Sequence, residues 1–161
     1  MPCIWYGDEK MSLVNNADEQ EMVAFLRRIV QARLTYAKPY VVHGRMLRPP
    51  ALDVPSFRIS GATSIPYTGA NYPPFDEKTV LGSAWKAPSG KTGYVFCNIS
   101  PDPQWFRLTI SPDDAALPPS AVCSLLETRN GVTTNRASLV GLPCEILVQI
   151  DPMDVLLIEV Y

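Results

Sequence analysis

The spacing of apolar residues changes once along this chain. Between residues 16 and 38 the apolar side chains recur at helical intervals, and beyond Pro39 they alternate or come in short runs. In the first stretch Met22, Leu26, Ile29, Val30 and Ala37 make one stripe, while Arg27, Arg28, Gln31 and Lys38 fall mostly elsewhere, which predicts an amphipathic helix. Asn16 followed three residues later by Glu19 has the form of a capping box at its start. Pro39 is expected to end it, because the residue before a proline avoids helical geometry. Ahead of the helix, PCIWY reads as a short strand and GDEK as a polar turn.

After Pro39 the pattern is that of strands and turns. YVVHGRMLR (40–48) reads as a strand of mixed faces, PPALDVP as a proline-rich connection, SFRIS as a short strand and SIPYTGANYPPFDE as a loop. TVLGSAWKA (79–87) and TGYVFCNIS flank the tight turn PSGK and predict a hairpin. In the second of these strands Val95, Cys97 and Ile99 point one way and Tyr94, Phe96 and Asn98 the other. QWFRLTIS alternates cleanly, with Phe106, Leu108 and Ile110 inward and Trp105, Arg107 and Thr109 outward. The loop SPDDAALPPS follows. AVCSLLETR and VTTNRAS form a second hairpin about the RNG turn, and EILVQI and VLLIEVY finish the sheet through the turn DPMD. Roughly eight to ten strands at this spacing predict a mostly β fold, an antiparallel, Greek-key-like β-sandwich with one N-terminal amphipathic helix. The expected division is a strand, loop and helix over 1–38 and the sandwich over 39–161.

Composition narrows the function. The chain has 161 residues, 47% hydrophobic and 19% charged, enough to bury a core without metal or disulfides. A formal net charge of -2 gives no electrostatic reason to bind nucleic acid or an anionic membrane, so neither is expected as a partner. No stretch has the length of a membrane span. MPCIWYGDEK lacks the basic start and apolar run of a secretory leader, so the chain as written reads as cytoplasmic. Cys3, Cys97, Cys123 and Cys144 lack the spacing of a zinc or redox motif and read as small buried hydrophobes, with a Cys97–Cys123 bridge left open. No metal and no cofactor are expected.

Candidate chemistry is sparse. His43 is the sole histidine, and it stands on an expected strand with no G-x-S-x-G nucleophile anywhere. The carboxylate pairs Asp8–Glu9, Asp76–Glu77 and Asp113–Asp114 are each adjacent in sequence and read as turn residues. Glycoside hydrolysis needs two carboxyls facing each other across a substrate. Aromatic rings are a better lead, since a flat ring exposed on a sandwich face can stack on a sugar. Tyr67 and Tyr72, in a proline-flanked loop, and Trp105, which alternates away from the core, are the carbohydrate-contact candidates, whereas Trp85 reads as hairpin packing.

IWYGDEKMSL resembles the last barrel strand and loop of α-amylase-like (β/α)8-barrel glycoside hydrolases. MVAFLRRIVQARLTYAKPYVVHGRMLRPP resembles their last barrel helix and the passage into the C-terminal domain. GYVFCNIS and DPMDVLLIEVY resemble strands of that domain's β-sandwich, the former ending in an asparagine before a turn. The resemblance implies a non-catalytic C-terminal region of a glycoside hydrolase-like protein, structural or weakly sugar-contacting, whose catalytic carboxylates would precede this chain. Asp8 and Glu9 alone would not make the pair. It also implies a helix parted from its barrel, whose apolar residues Ile4, Trp5, Met22, Leu26, Ile29 and Val30 need another cover, either the sandwich or a second copy in a homodimer. Two further readings stand beside it: a stand-alone carbohydrate-binding module, and a protein-interaction domain using the helix face.

Overall fold

The computed structural model describes residues 17–59, 74–119 and 121–161. The expected strand at 2–6, the Asn16 cap and the residues Ile4, Trp5, Asp8, Glu9, Tyr67 and Tyr72 lie outside them.

Within them the molecule has three layers. Its centre is a six-stranded antiparallel sheet, in spatial order β1 (Arg45–Met46), β4 (Val80–Lys86), β5 (Thr92–Asn98), β10 (Val155–Val160), β7 (Val122–Arg129) and β8 (Val132–Gly141). One face packs on a two-stranded sheet of β6 (Gln104–Ile110) and β9 (Cys144–Ile150). The other face carries the helices α1 (Ala17–Leu34) and α2 (Lys38–Val41). A further hairpin pairs β2 (Ser56–Ile59) with β3 (Phe75–Lys78). The mostly β, antiparallel sandwich with an N-terminal helix is the fold the sequence pattern predicts.

Alternation explains the layering. Tyr94 and Phe96 of β5, Leu156, Ile158 and Val160 of β10 and Leu125 of β7 face Phe106, Leu108, Ile110, Val148 and Ile150 of the smaller sheet, all buried in one core. The Phe96 and Phe106 rings meet across it, tilted, with centroids 4.9 Å apart. The opposite side chains, Val95, Cys97, Val155 and Leu157, lie under the helices. β10 is therefore covered on both faces, which is why VLLIEV is an almost unbroken apolar run. The turn at Asn130–Gly131 joins β7 and β8 with both residues at positive φ, 47° and 81°, as a two-residue hairpin loop demands.

Several local expectations are corrected. β9 and β10 do not form a hairpin: β9 pairs with β6 and β10 with β5 and β7, so DPMD carries the chain from one sheet to the other. The helix does not run to Lys38. Pro39 has no N–H for the Thr35 carbonyl, Lys38 N–H bonds that carbonyl at 3.2 Å instead, and the chain restarts as α2 with Pro39 in its first turn. Residues 40–48 are consequently a helical turn and a bend, with only Arg45–Met46 in a strand. Asp76 and Glu77 lie on β3, not in a turn. Cys97 faces the helices and Cys123 the sandwich core, so the sheet separates them; Cys97, Cys123 and Cys144 are free thiols.

The helical layer docks through Phe25, Ile29, Ala32 and Tyr36 on Val95, Cys97, Ile99, Met153 and Val155. Burying such side chains contributes about 1.5–3 kcal/mol each for the larger ones. Three polar hooks fix the register: Arg28 Nη1 donates to Met153 O at 2.7 Å, Tyr36 Oη to Val155 O at 3.3 Å, and Tyr40 Oη to Glu159 Oε1 at 2.5 Å. Of the expected stripe, Ile29 and Leu26 are half-buried while Met22 and Val30 are exposed.

Candidate functional site

The outer face of the β6–β9 ribbon carries the chain's most accessible described tryptophan. Because Phe106, Leu108 and Ile110 point into the core, Trp105, Arg107 and Thr109 point to solvent. Their direct cross-strand partners are Gln149, Leu147 and Glu145, so these six side chains share one face. Trp105 is 53% exposed and Leu147 58%. Leu147 is the diagonal neighbour of Trp105, Gln149 stands opposite the ring, and Arg107 Nη1 pairs with Glu145 Oε1 at 2.5 Å beside them. The result is a small apolar patch, Trp105 with Leu147, flanked by an amide, a guanidinium and a carboxylate. A ring of this kind can stack on the apolar face of a pyranose or furanose while its polar neighbours bond hydroxyls.

A charged network braces this ribbon from the side. Glu127 on β7 pairs with Arg129 Nε at 2.7 Å and with Arg136 on β8. Those arginines in turn donate to the Gln149 and Leu147 carbonyls on the edge of β9. The β9 edge is thereby occupied by side chains of the other sheet, which fixes the two layers and blocks strand addition there. Leu147, Gln149 and this bracing were not picked out in the sequence; the alternation of EILVQI was the one signal that could have placed Leu147 and Gln149 outward.

At the opposite end of β5, Asn98 is fully buried and satisfied. Its Nδ2 donates to Asp102 O at 2.8 Å and Asp151 O at 2.9 Å, and its Oδ1 accepts from Ser100 N at 3.0 Å and Ser100 Oγ at 2.8 Å. It ties the loop after β5 to the loop after β9, and Ser100 Oγ then accepts from Gln104 Nε2 at the start of β6. Asn98 thus sets where the Trp105 strand begins.

The remaining candidates are scattered. His43 is exposed in the turn after α2, not on a strand, and borders an open groove with Thr35, Lys38, Pro39, Pro88 and Ser89. Asp76 and Glu77 point to opposite faces of β3, Asp76 toward Arg58 at 3.5 Å. Asp114 Oδ2 accepts from Ser111 Oγ at 2.7 Å within its own loop. Beneath α1, buried Asp154 lies among Cys97 and Tyr36, its Oδ1 without a hydrogen-bond partner among the described residues. Burial and then the Asp154 charge push the Cys97 thiol from 9.0 up to about 12, so it is protonated at neutral pH and no nucleophile. Among the described residues no three His, Cys, Asp or Glu side chains gather as a metal site, and no helix is long and apolar enough to cross a membrane.

No family model and no curated protein sequence matches the chain. Among solved structures it is similar to a GH family 44 endoglucanase from Clostridium thermocellum, at TM-score 0.34 and 14% identity over 60% of this chain and 21% of that one. It is similar to an arabinofuranosidase at TM-score 0.39 and 14% identity, over 68% and 24%. It is also similar to the thermostable GH51 alpha-L-arabinofuranosidase of Thermotoga petrophila RKU-1, at TM-score 0.37 and 13% identity, over 68% and 24%. The chain therefore spans 21–24% of the length of these structures.

Proposed function

We propose that this chain is a non-catalytic β-sandwich domain of a glycoside hydrolase-like protein that makes weak carbohydrate contact through the outer face of β6–β9. The observation that carries the reading is Trp105, half-exposed on a strand whose alternate residues are buried, with Gln149 opposite and the Arg107–Glu145 pair beside it. The resemblance of GYVFCNIS and DPMDVLLIEVY to sandwich strands of glycoside hydrolases supports it, and the buried Asn98 supplies a structural reason for the asparagine that ends the first of them.

The contact is expected to be weak, because a single open face buries little of a ligand compared with an enclosed pocket. Titration of soluble neutral polysaccharides should quench part of the tryptophan fluorescence, and Trp105→Ala should abolish the response without changing the unfolding midpoint. A silent panel, or quenching that survives Trp105→Ala, would remove the sugar contact from the reading. Hydrolysis of an aryl glycoside above the buffer rate would remove its non-catalytic part.

A further inference from the structure

We infer that the Arg107–Glu145 pair sets the specificity of the β6–β9 face, limiting it to uncharged glycans with free neighbouring hydroxyls, a role that rests on the sugar contact proposed for that face. The outward side chains form three cross-strand rows: Trp105 opposite Gln149, Arg107 opposite Leu147, and Thr109 opposite Glu145. Arg107 stands two residues along β6 from the Trp105 ring, about 7 Å at the rise of a strand, within reach of the hydroxyl edge of a sugar stacked there. Its Nη1 donates to Glu145 Oε1 at 2.5 Å, and both side chains are exposed. That bond leaves further guanidinium N–H groups and the second carboxylate oxygen for a ligand. A charged donor and a charged acceptor thus lie side by side, and hydrogen bonds to such groups are the stronger kind. Two adjacent hydroxyls match them: one oxygen accepts from Arg107, and the next hydroxyl donates to Glu145.

Charge decides what the face refuses. The other arginines at this ribbon are also matched by carboxylates: Arg129 and Arg136 pair with Glu127, and Arg129 lies 3.8 Å from Asp151. A uronate or sulfate arriving on Trp105 would meet Glu145 beside a guanidinium already bonded, and the ammonium of an amino sugar would meet Arg107. Like charges brought together in this way oppose binding. A sugar with etherified or esterified hydroxyls would lack the proton that Glu145 accepts. Discrimination here comes from what the pair repels, since its hydroxyl contacts are open to many neutral glycans.

Tryptophan-fluorescence titration of the full chain at low ionic strength tests this, with soluble β-glucan, arabinoxylan and galactomannan as neutral probes and polygalacturonate as the anionic one. At least one neutral probe should bind through Trp105, and polygalacturonate about tenfold or more weaker. Glu145→Gln frees the Arg107 charge, so it should move the two classes in opposite directions: neutral binding weaker by a few-fold, polygalacturonate tighter by about tenfold, the gain vanishing near 1 M salt, where the Debye length is about 3 Å. Arg107→Gln leaves the anion alone and should weaken both. An exposed ion pair adds little to stability, so both variants should keep the parent urea midpoint. Polygalacturonate binding as tightly as the neutral probes through Trp105, or a preference unmoved by Glu145→Gln, overturns the specificity and leaves the sugar contact standing; no Trp105-dependent binding of any probe overturns both.

Discussion

Gly93 offers the sharpest test of how the helical layer is held. It sits within β5, where a glycine weakens a strand unless something needs the space. Here the Tyr40 ring lies flat on the backbone. A Cβ at position 93 would stand 2.5 Å from Tyr40 Cδ1 and 2.7 Å from Cε1 and Cγ. Carbon atoms rest at about 3.5–4.0 Å, so the ring would have to move by about 1 Å. It has nowhere to go: Tyr40 is fully buried against Ala87 and Leu157, and its hydroxyl is anchored on Glu159 at 2.5 Å. Overpacking costs about 1–3 kcal/mol, and losing a hydrogen bond to a charged acceptor about 1.5–3 kcal/mol. Since one displacement relieves the clash and breaks the bond, the two do not simply add. Gly93→Ala should cost about 2–4 kcal/mol, offset slightly by the lower entropy of alanine in the unfolded chain. With a urea m-value of about 2 kcal/mol/M, the midpoint falls by about 1–2 M. In a Tyr40→Ala background the same substitution should cost under about 0.5 kcal/mol, because the ring it strikes is gone. A Gly93→Ala protein within about 0.5 kcal/mol of the parent would refute the account of this layer.

Other expectations are independent of Gly93. Asn98→Ala should cost about 2–4 kcal/mol in urea unfolding, since it strips partners from two carbonyls and the Ser100 groups in a buried site; a loss under about 1 kcal/mol would show the two loops hold without it. Stability should fall in alkali. Burial, then Asp154 and Cys97, raises Tyr36 from 10.0 to about 12; burial, then Asp154, raises Cys97 from 9.0 to about 12; and burial, then the Glu159 hydrogen bond, raises Tyr40 further still. Below pH 9 both states keep these protons, while between pH 9 and 12 the unfolded chain loses them first, so unfolding free energy should decline across that window. A flat profile there would contradict the burial of these groups, and Asp154→Asn should shallow the decline by removing a charge that favours their protonated forms.

What could be read from sequence divides by the range of the interaction that decides it. Alternation fixed the inward and outward faces of β5 and β6, and Asn-Gly chemistry fixed the β7–β8 turn, because strand period and turn φ are local properties. Partner choice was not local. Nothing in DPMD says whether the chain turns back beside β9 or crosses to the other sheet; in the fold it crosses, β10 lies between β5 and β7, and Arg129 and Arg136 fill the β9 edge. The candidate site shows the same division. Trp105 could be placed outward by alternation, but its neighbours Gln149 and Leu147 depend on which strand pairs with β6. α1 shows the limit most plainly. Its apolar residues cover more than the width of one docking stripe, so periodicity alone announces a helix without saying which side is spent. Groups more than a hundred residues away choose: Met153 and Val155 present carbonyls that Arg28 and Tyr36 can reach only with Phe25, Ile29 and Ala32 facing the sheet. Those two hooks rotate Met22 and Val30 out of the contact, so the row left in solvent follows from how the helix is fastened rather than from a defect in its packing.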